Sequence, residues 1–152
     1  MSTYKFTDLN PSEFSGKTLV VDIDGTLVAD GEKELSGERE RALMALKACA
    51  GGIYLSTNKE ISEWHRKLSQ RLAIPLVSEN AYKPSPKVLS SLSEKERSNL
   101  VIIGDKYLTD GLLAKRARVP FVKVERLKSG KENLLIRLSY ILDDIISAIG
   151  GR

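Results

Sequence analysis

The sequence has little of the residue chemistry on which several large classes of protein depend. Among 152 residues there is one cysteine, Cys49, and one histidine, His65. A single cysteine excludes a disulfide framework and any zinc site built from several thiolates. No apolar run approaches the roughly 18 residues of a spanning helix. The first fourteen residues lack the apolar stretch of a secretory signal and carry Asp8 and Glu13, so we expect a cytoplasmic protein.

What the chain does contain is typical of a folded, water-exposed domain. Hydrophobic residues make up 41% and charged residues 29%, a balance that argues against disorder. The length suits one domain, so we expect a single unit over residues 1–152, with its core at about 16–126.

The net charge of +4 is mild, but its distribution is uneven. Seven basic residues accompany one acid, Glu125, between positions 115 and 131: Lys115, Arg116, Arg118, Lys123, Arg126, Lys128 and Lys131. A cluster of this kind favours either an anionic partner or a plainly solvated face, and the second is the more frequent case. We do not expect a nucleic-acid partner.

Five short apolar runs predict a parallel sheet. They cover Thr18–Val21, Gly52–Leu55, Pro75–Val77, Leu100–Ile103 and Pro120–Val124. Continuous apolar runs, rather than alternating ones, are typical of strands that are covered on both faces.

Segments with helical periodicity lie between and after these strands. They cover Gly37–Ala50, Lys59–Leu72, Ser85–Leu92, Leu108–Ala117 and Lys131–Ile149. The alternation of strand and helix indicates βαβ units and an α/β fold. In the first helix we expect Ser36 as the N-cap and Cys49 in the core. In the second we expect His65 at the surface.

The last helix carries a wide apolar stripe. Its members recur at helical spacing: Leu134, Leu135, Leu138, Ile141, Leu142, Ile145, Ile146 and Ile149. Packing on the sheet is the leading interpretation. A homodimer face and a peripheral membrane contact stay open.

Polar side chains follow the predicted strands at the edge where open α/β sheets bind their ligands. This set comprises Asp22, Asp24, Ser56, Thr57, Asn58, Lys83, Asp105 and Asp110. Carboxylates without histidine or cysteine suit a hard cation, Mg²⁺ first. Together with a lysine and a helix N-terminus they describe phosphoryl transfer through an aspartyl-phosphate.

Four segments, in order, resemble the motifs of the haloacid dehalogenase-like (HAD) phosphatases: DIDGTL, LSTN, KPSP and GDKYLTD. The resemblance runs from about Thr18 to Val124. It implies a three-layered Rossmann-like core with a five-stranded parallel sheet in the order 5-4-1-2-3. It also implies a Mg²⁺-dependent phosphomonoester hydrolase.

The resemblance also implies a role for each residue of the set. Asp22 would be the nucleophile and Asp24 the general acid and base. Mg²⁺ would be held by Asp22, by the backbone carbonyl of Asp24 and by Asp105, with Asp110 in support of the metal or of Lys83. The phosphoryl group would be bound by Ser56 and Lys83, with Thr57 and Asn58 beside them.

Spacing indicates the branch of the superfamily. The segment between Leu27 and the first helix is too short to hold a domain, and so is the segment between Ser56 and Lys83. The chain therefore resembles the capless members of the superfamily, with a short flap at Val28–Leu35. The pattern KPSPK followed by GDKYLTD is similar to the YqeG-like branch of subclass IIIA, which is related to mitochondrial phosphatidylglycerophosphatase.

The identity of the phosphorylated substrate stays open at this point. A capless site admits phosphates on lipids or other large molecules, and it could also act on small metabolites when a second subunit closes it. The alternative from another class is a non-catalytic phosphate-binding or scaffold protein on a HAD core.

Overall fold

The strands of the sheet form in the apolar runs of the sequence. The computed structural model describes residues 1–77 and 80–150. All strands in the sheet are parallel, and their order is β1-β5-β4-β2-β3. The bounds are β1 Thr3–Tyr4, β2 Thr18–Asp22, β3 Gly52–Ser56, β4 Leu100–Gly104 and β5 Phe121–Val124.

Within the described residues, five α-helices accompany the strands: α1 Gly37–Cys49, α2 Glu63–Leu72, α3 Glu94–Ser98, α4 Leu112–Ala117 and α5 Leu134–Gly150. Short 3₁₀ turns cover Phe6–Asp8, Pro11–Phe14 and Pro86–Leu89, and a π-helical turn covers Tyr107–Gly111. The side chain of Ser36 accepts a hydrogen bond from the Arg39 N–H at 3.2 Å, so the predicted N-cap of α1 is confirmed.

The central strand β2 divides the core into two layers. Successive side chains of a strand point to opposite faces. Leu19 and Val21 accordingly pack with residues of α1 and α2, while Val20 packs with Ile102, Leu113 and the 3₁₀ turn at Pro86–Leu89. Both faces of the sheet are therefore covered, and the sheet edge at the strand carboxyl ends is left for the site.

The predicted fold class, α/β with a five-stranded parallel sheet, is confirmed. The outermost strands differ in detail. Pro75–Val77 contributes one bridge, Leu76 to Leu55, rather than a strand. The opposite edge of the sheet is extended by β1, a two-residue strand with exposed side chains. No apolar run in the sequence predicted this strand.

Several helix boundaries also differ from the predicted ones. The second helix begins at Glu63 rather than at Lys59. The region predicted as one helix over Ser85–Leu92 forms the turn at Pro86–Leu89, and α3 follows it at a capping box in which Ser93 and Glu96 exchange hydrogen bonds. This local capping decides where the helix starts.

Cys49 is exposed, so its predicted place in the core is wrong. Each residue of an α-helix turns by about 100°. Ala50 therefore lies between the directions of Leu43 and Leu46, which are buried, whereas Cys49 lies roughly 60° beyond Leu46.

The last helix is attached by its polar side, so the leading interpretation of its apolar stripe is wrong. The buried residues of α5 are Tyr140, Asp143 and Ser147. Asp143 accepts hydrogen bonds from the backbone N–H groups of Tyr107 (3.1 Å) and Leu108 (2.7 Å). The hydroxyl of Ser147 accepts one from Lys123 at 2.8 Å. These partners hold the helix with its apolar stripe facing outward.

Asp143 should be the main attachment of α5. We expect Asp143→Ala to lower the free energy of unfolding by about 2–3 kcal/mol, because it leaves backbone N–H groups without their acceptor. Asp144→Ala is the matched control: the side chain is 61% exposed and its ion pair should contribute about 0–1 kcal/mol. Urea unfolding of the two variants measures the difference, and equal losses would contradict this role of Asp143.

Candidate active site

The strand ends converge on a buried group of charges. Asp22, the last residue of β2, lies opposite Ser56, the last residue of β3, in the strand register. Asp105 follows directly after β4, which pairs with the other side of β2. The parallel sheet thus brings three distant segments of the chain to one edge.

Lys83 is the centre of this group. Its ammonium donates to Asp22 Oδ1 and to Asp110 Oδ1, each at 2.6 Å, and reaches Ser56 Oγ at 3.3 Å. The lysine is 5% exposed. Burial alone would lower its pKa, but the two carboxylates outweigh burial and raise the pKa of Lys83, so the lysine stays charged.

The side chain of Asn58 holds the backbone of Lys83 in place. It accepts from the Lys83 N–H at 2.8 Å and donates to the Lys83 carbonyl at 2.9 Å. This pair of bonds fixes the loop that carries the lysine onto the loop that follows β3. Asn58 therefore contacts the lysine rather than the cleft's carboxylates, although it also lines the cleft.

Asp105 is held by an arginine that the sequence analysis did not connect to the site. Arg126 Nε donates to Asp105 Oδ2 at 2.8 Å, and its Nη2 donates to Asp143 of α5 at 3.1 Å. Gly25 makes room for Asp105: its φ is +93°, and a Cβ there would lie 2.7 Å from Asp105 Oδ2.

Three buried carboxylates, those of Asp22, Asp105 and Asp110, are close enough to hold one metal ion. An oxygen atom from each lies within 4.8 Å of the others. These three side chains offer only oxygen donors, which fits a hard cation such as Mg²⁺. Lys83 and Arg126 are the cations that face these three carboxylates, and Arg126 also pairs with Asp143, so carboxylates outnumber cations here and a divalent ion would offset part of the excess.

Burial shapes the electrostatics of this cluster. It raises the pKa of Asp22 well above the ordinary value, although Lys83 opposes the shift. Burial likewise raises the pKa of Asp110, with Lys83 again in opposition. A second positive group would favour the ionised forms of both carboxyls, which is the contribution expected of a bound cation.

Asp24 lies beside this cluster in a more polar setting. Its Oδ2 accepts from Thr57 Oγ1 at 2.7 Å, and Lys59 Nζ approaches its Oδ1 at 3.3 Å. Among the residues that the structure describes, the group of carboxylates close enough to share a metal ion does not include Asp24. The arrangement therefore separates the side chain of Asp24 from that group and leaves its oxygens facing donors.

His65 is 4% exposed and contacts Asp24, so its predicted surface position is wrong. Its Nδ1 accepts from the Ser62 N–H at 3.1 Å, which places the proton of the neutral ring on Nε2. Nε2 faces Asp24 Oδ2 at 3.4 Å. The rings of Trp64 and His65 pack edge to face, and Trp64 donates to the Lys33 carbonyl of the flap at 2.7 Å.

The site opens through a cleft of about 230 Å³. The lining residues are Asp22, Asp24, Asp30, Asn58, Lys59, Lys83, Lys106 and Thr109. Asp30 belongs to the short flap and forms an ion pair with Lys59. Between β2 and α1 the chain has only residues 23–36, so the predicted short flap occupies the position where a cap domain would be inserted.

All eight residues that the sequence analysis singled out lie in or next to this cleft. Asp22, Ser56, Lys83, Asp105 and Asp110 form the buried cluster, and Thr57 contacts Asp24. His65, Arg126 and Thr26 were missed. The Thr26 hydroxyl lies 3.2 Å from Asp22 and 3.4 Å from Asp105. Thr26 was recoverable from the motif DIDGTL, whereas nothing local in the sequence distinguishes His65 or Arg126.

A comparison with protein families identifies the group to which this site belongs. A family model described as mitochondrial PGP phosphatase matches residues 6–124. No curated protein and no solved structure matches the chain. The family description also corrects the expected location: the cytoplasmic prediction is wrong, because the family is a mitochondrial one.

The match and the geometry agree with each other. Residues 6–124 span all four motifs and every residue of the buried cluster, while Arg126, which bonds Asp105, lies just outside the match. The family is one of phosphoric monoester hydrolases within the HAD-like superfamily, which makes the predicted enzyme class and the resemblance correct. The chain belongs to the mitochondrial PGP phosphatase family.

Proposed function

We propose that the chain removes the terminal phosphate of phosphatidylglycerophosphate through an aspartyl-phosphate on Asp22, with Mg²⁺ bound at the three-carboxylate cluster. The observation that carries the proposal is the buried contact of Asp22 Oδ1 with Lys83 Nζ at 2.6 Å, next to Asp24 and open to the cleft. The substrate follows from the family's description.

Asp22 is suited to the first step by its position. A carboxylate oxygen attacks phosphorus, and the bond from phosphorus to the leaving oxygen breaks. Lys83 stays protonated beside it and offsets negative charge on the phosphoryl oxygens. Thr26 and Lys83 orient the two oxygens of the nucleophile before attack.

Asp24 is suited to proton transfer because it lies at the cleft and outside the buried cluster. It gives a proton to the glycerol oxygen as that oxygen leaves. It then takes a proton from the water that attacks the aspartyl-phosphate, which releases inorganic phosphate and restores Asp22. Thr57 and the Nε2–H of His65 hold the carboxyl group of Asp24 in orientation.

The cluster also accounts for a metal requirement. A phosphate monoester brings up to two negative charges to a site whose carboxylates already outnumber its cations. When bound, Mg²⁺ supplies positive charge to the phosphoryl oxygens and offsets repulsion among the carboxylates. Asp105 is positioned to hold the ion by Thr26 and Arg126.

The small cleft and short flap fit a phosphate headgroup on a large molecule. A cleft of about 230 Å³ accommodates a phosphate with its adjoining glycerol, while the acyl chains of a lipid would remain outside. Phosphate release from phosphatidylglycerophosphate in mixed micelles, compared with sugar, nucleotide and peptide phosphates, tests this substrate. A stronger preference for a small soluble phosphate would reject it.

Asp22→Asn should reduce phosphate release from an aryl phosphate to below about 1% of wild type, because an amide is a poor nucleophile. The fold should persist, since burial already disfavours a charge at this position. Acid-quenched wild-type enzyme should carry a labile phosphoryl group, which Asp22→Asn should lack. The exposed Glu94→Gln is the control, and substantial activity in Asp22→Asn would reject the nucleophile.

Mg²⁺ should raise the melting temperature of the wild-type protein, because a ligand that binds only the folded state stabilises it. Asp105→Asn should lose most of this increase and need at least about tenfold more Mg²⁺ for activity. Asp24→Asn is the matched control, because its side chain lies outside the cluster. Equal Mg²⁺ responses in all three proteins, or full activity in excess chelator, would contradict the metal site.

His65→Leu should lower kcat by about tenfold, because it removes the donor that orients Asp24. His65→Gln places an amide N–H near the position of Nε2 and should retain most of the activity. Steady-state kinetics of both variants, with thermal melts as the stability control, measure this. Equal loss in both variants would show that the histidine only packs.

A further inference from the structure

Among the residues that the structure describes, most of the large apolar side chains that are exposed lie on the outward face of α5. Seven of its residues are more than half exposed: Leu134, Leu135, Leu138, Ile141, Leu142, Ile145 and Ile149. At about 100° per residue they fall within an arc of roughly 120° on a helix about 25 Å long. Monomeric soluble proteins seldom expose apolar patches of this extent, and such a patch usually marks an interaction site.

This orientation is imposed by the contacts on the other side of the helix. Tyr140, Asp143 and Ser147 lie on the arc opposite the apolar residues and are buried against the core. Asp143 is bonded to two backbone N–H groups and to Arg126. Turning the apolar arc inward would break these bonds, so the exposed face is a stable feature of the fold.

The helix lies beside the mouth of the active-site cleft. The Tyr140 hydroxyl contacts the Asp30 carboxylate at 3.4 Å, and Asp30 lines the cleft. Asp143 caps the π-helical turn at Tyr107–Gly111, which contributes Thr109 to the same cleft. A surface that binds α5 would therefore lie next to the entrance used by the substrate.

The charges around the apolar arc are suited to an anionic surface. Lys128, Lys131 and Arg137 are exposed near the start of α5, and within residues 1–77 and 80–150 none of them makes an ion pair. Lys128 and Arg137 line a depression of about 300 Å³ together with Ile141. Two acids line the same depression: Glu132, which is hydrogen-bonded to Ser129 and keeps its charge, and Asp144, which pairs with Arg126.

The seven basic residues between positions 115 and 131 have different surroundings in the structure. Arg126 points into the protein, with its side chain 6% exposed, and Lys123 is bonded to Ser147. Lys115, Arg116 and Arg118 belong to α4 and its C-terminus. Only Lys128 and Lys131 remain to accompany the outward face of α5, together with Arg137 on the helix itself.

We propose that the outward face of α5 docks on an anionic phospholipid bilayer. The helix lies in the plane of the membrane, with its apolar arc in the headgroup and acyl boundary and the three cations at the anionic headgroups. Docking places the cleft next to the lipid phosphates, so the lipid can stay in the bilayer while its phosphate enters the cleft. The choice of occupant rests on the proposed function, since that substrate is itself a membrane lipid.

The arrangement favours a surface-bound helix over one that spans the bilayer. Among the described residues, no helix is long and apolar enough to cross a membrane. An amphipathic helix with one apolar arc, flanking basic residues and a polar inner face is typical of interfacial binding. A second copy of the chain could also cover an apolar face, and the experiment distinguishes the two occupants.

The test uses the full chain and its Ile141→Glu/Ile145→Glu variant. Both positions are exposed, so the variant should fold. Wild type should co-sediment with vesicles of phosphatidylcholine and phosphatidylglycerol, and binding should weaken in phosphatidylcholine alone and at high salt. The variant should bind at least about tenfold more weakly. Met44→Glu on α1, which replaces another exposed apolar residue, should bind like wild type.

Activity separates this inference from the proposed function. The double variant should hydrolyse a soluble aryl phosphate at the wild-type rate, but should lose at least about tenfold on phosphatidylglycerophosphate in vesicles. If wild type does not hydrolyse the aryl phosphate, the proposed function is rejected instead. The docking surface would be overturned if wild type stays in the supernatant, or if the double variant binds vesicles as well as wild type does. It would also be overturned if wild type forms a dimer that Ile141→Glu/Ile145→Glu dissociates and binds no vesicles.

Discussion

The contact of Lys83 with Asp22 and Asp110 is the interaction on which the site depends. Two buried carboxylates close together would repel each other and lose their charges, since burial raises the pKa of both. The lysine holds them at 2.6 Å each and is in turn fixed by the two hydrogen bonds of Asn58. The same positive charge is available to a phosphoryl group, so the interaction that assembles the cluster also prepares it for its substrate.

A second ion pair links this cluster to the helix at its entrance. Arg126 bonds Asp105 on one side and Asp143 on the other, and its guanidinium lies 4.2 Å from the ring centre of Tyr140. One arginine thus orients a candidate metal ligand and anchors α5. The polar face of the helix is occupied by these contacts, and the apolar face is left to meet another surface.

Much of the site could be predicted because its chemistry is local in the sequence. Asp22 ends an apolar strand and Asp24 follows it, and Asp105 follows the end of another, so parallel pairing alone brings these residues to one edge. Lys83 and Ser56 were identifiable from the motifs around them. The parallel α/β sheet followed from the apolar runs, whereas the two-residue strand β1 did not, because it forms only by pairing with β5.

Short-range sequence patterns were sufficient to predict the fold class, the strand ends that carry the carboxylates and the enzyme family. The roles of His65, Arg126 and α5 became evident only from contacts between distant parts of the folded chain. His65 reaches Asp24 from 41 positions away, and Arg126 reaches Asp105 from 21. The apolar stripe of α5 predicted a buried face on hydrophobicity alone. Its orientation was decided instead by buried polar bonds of Asp143 and Ser147, which a periodicity argument does not weigh.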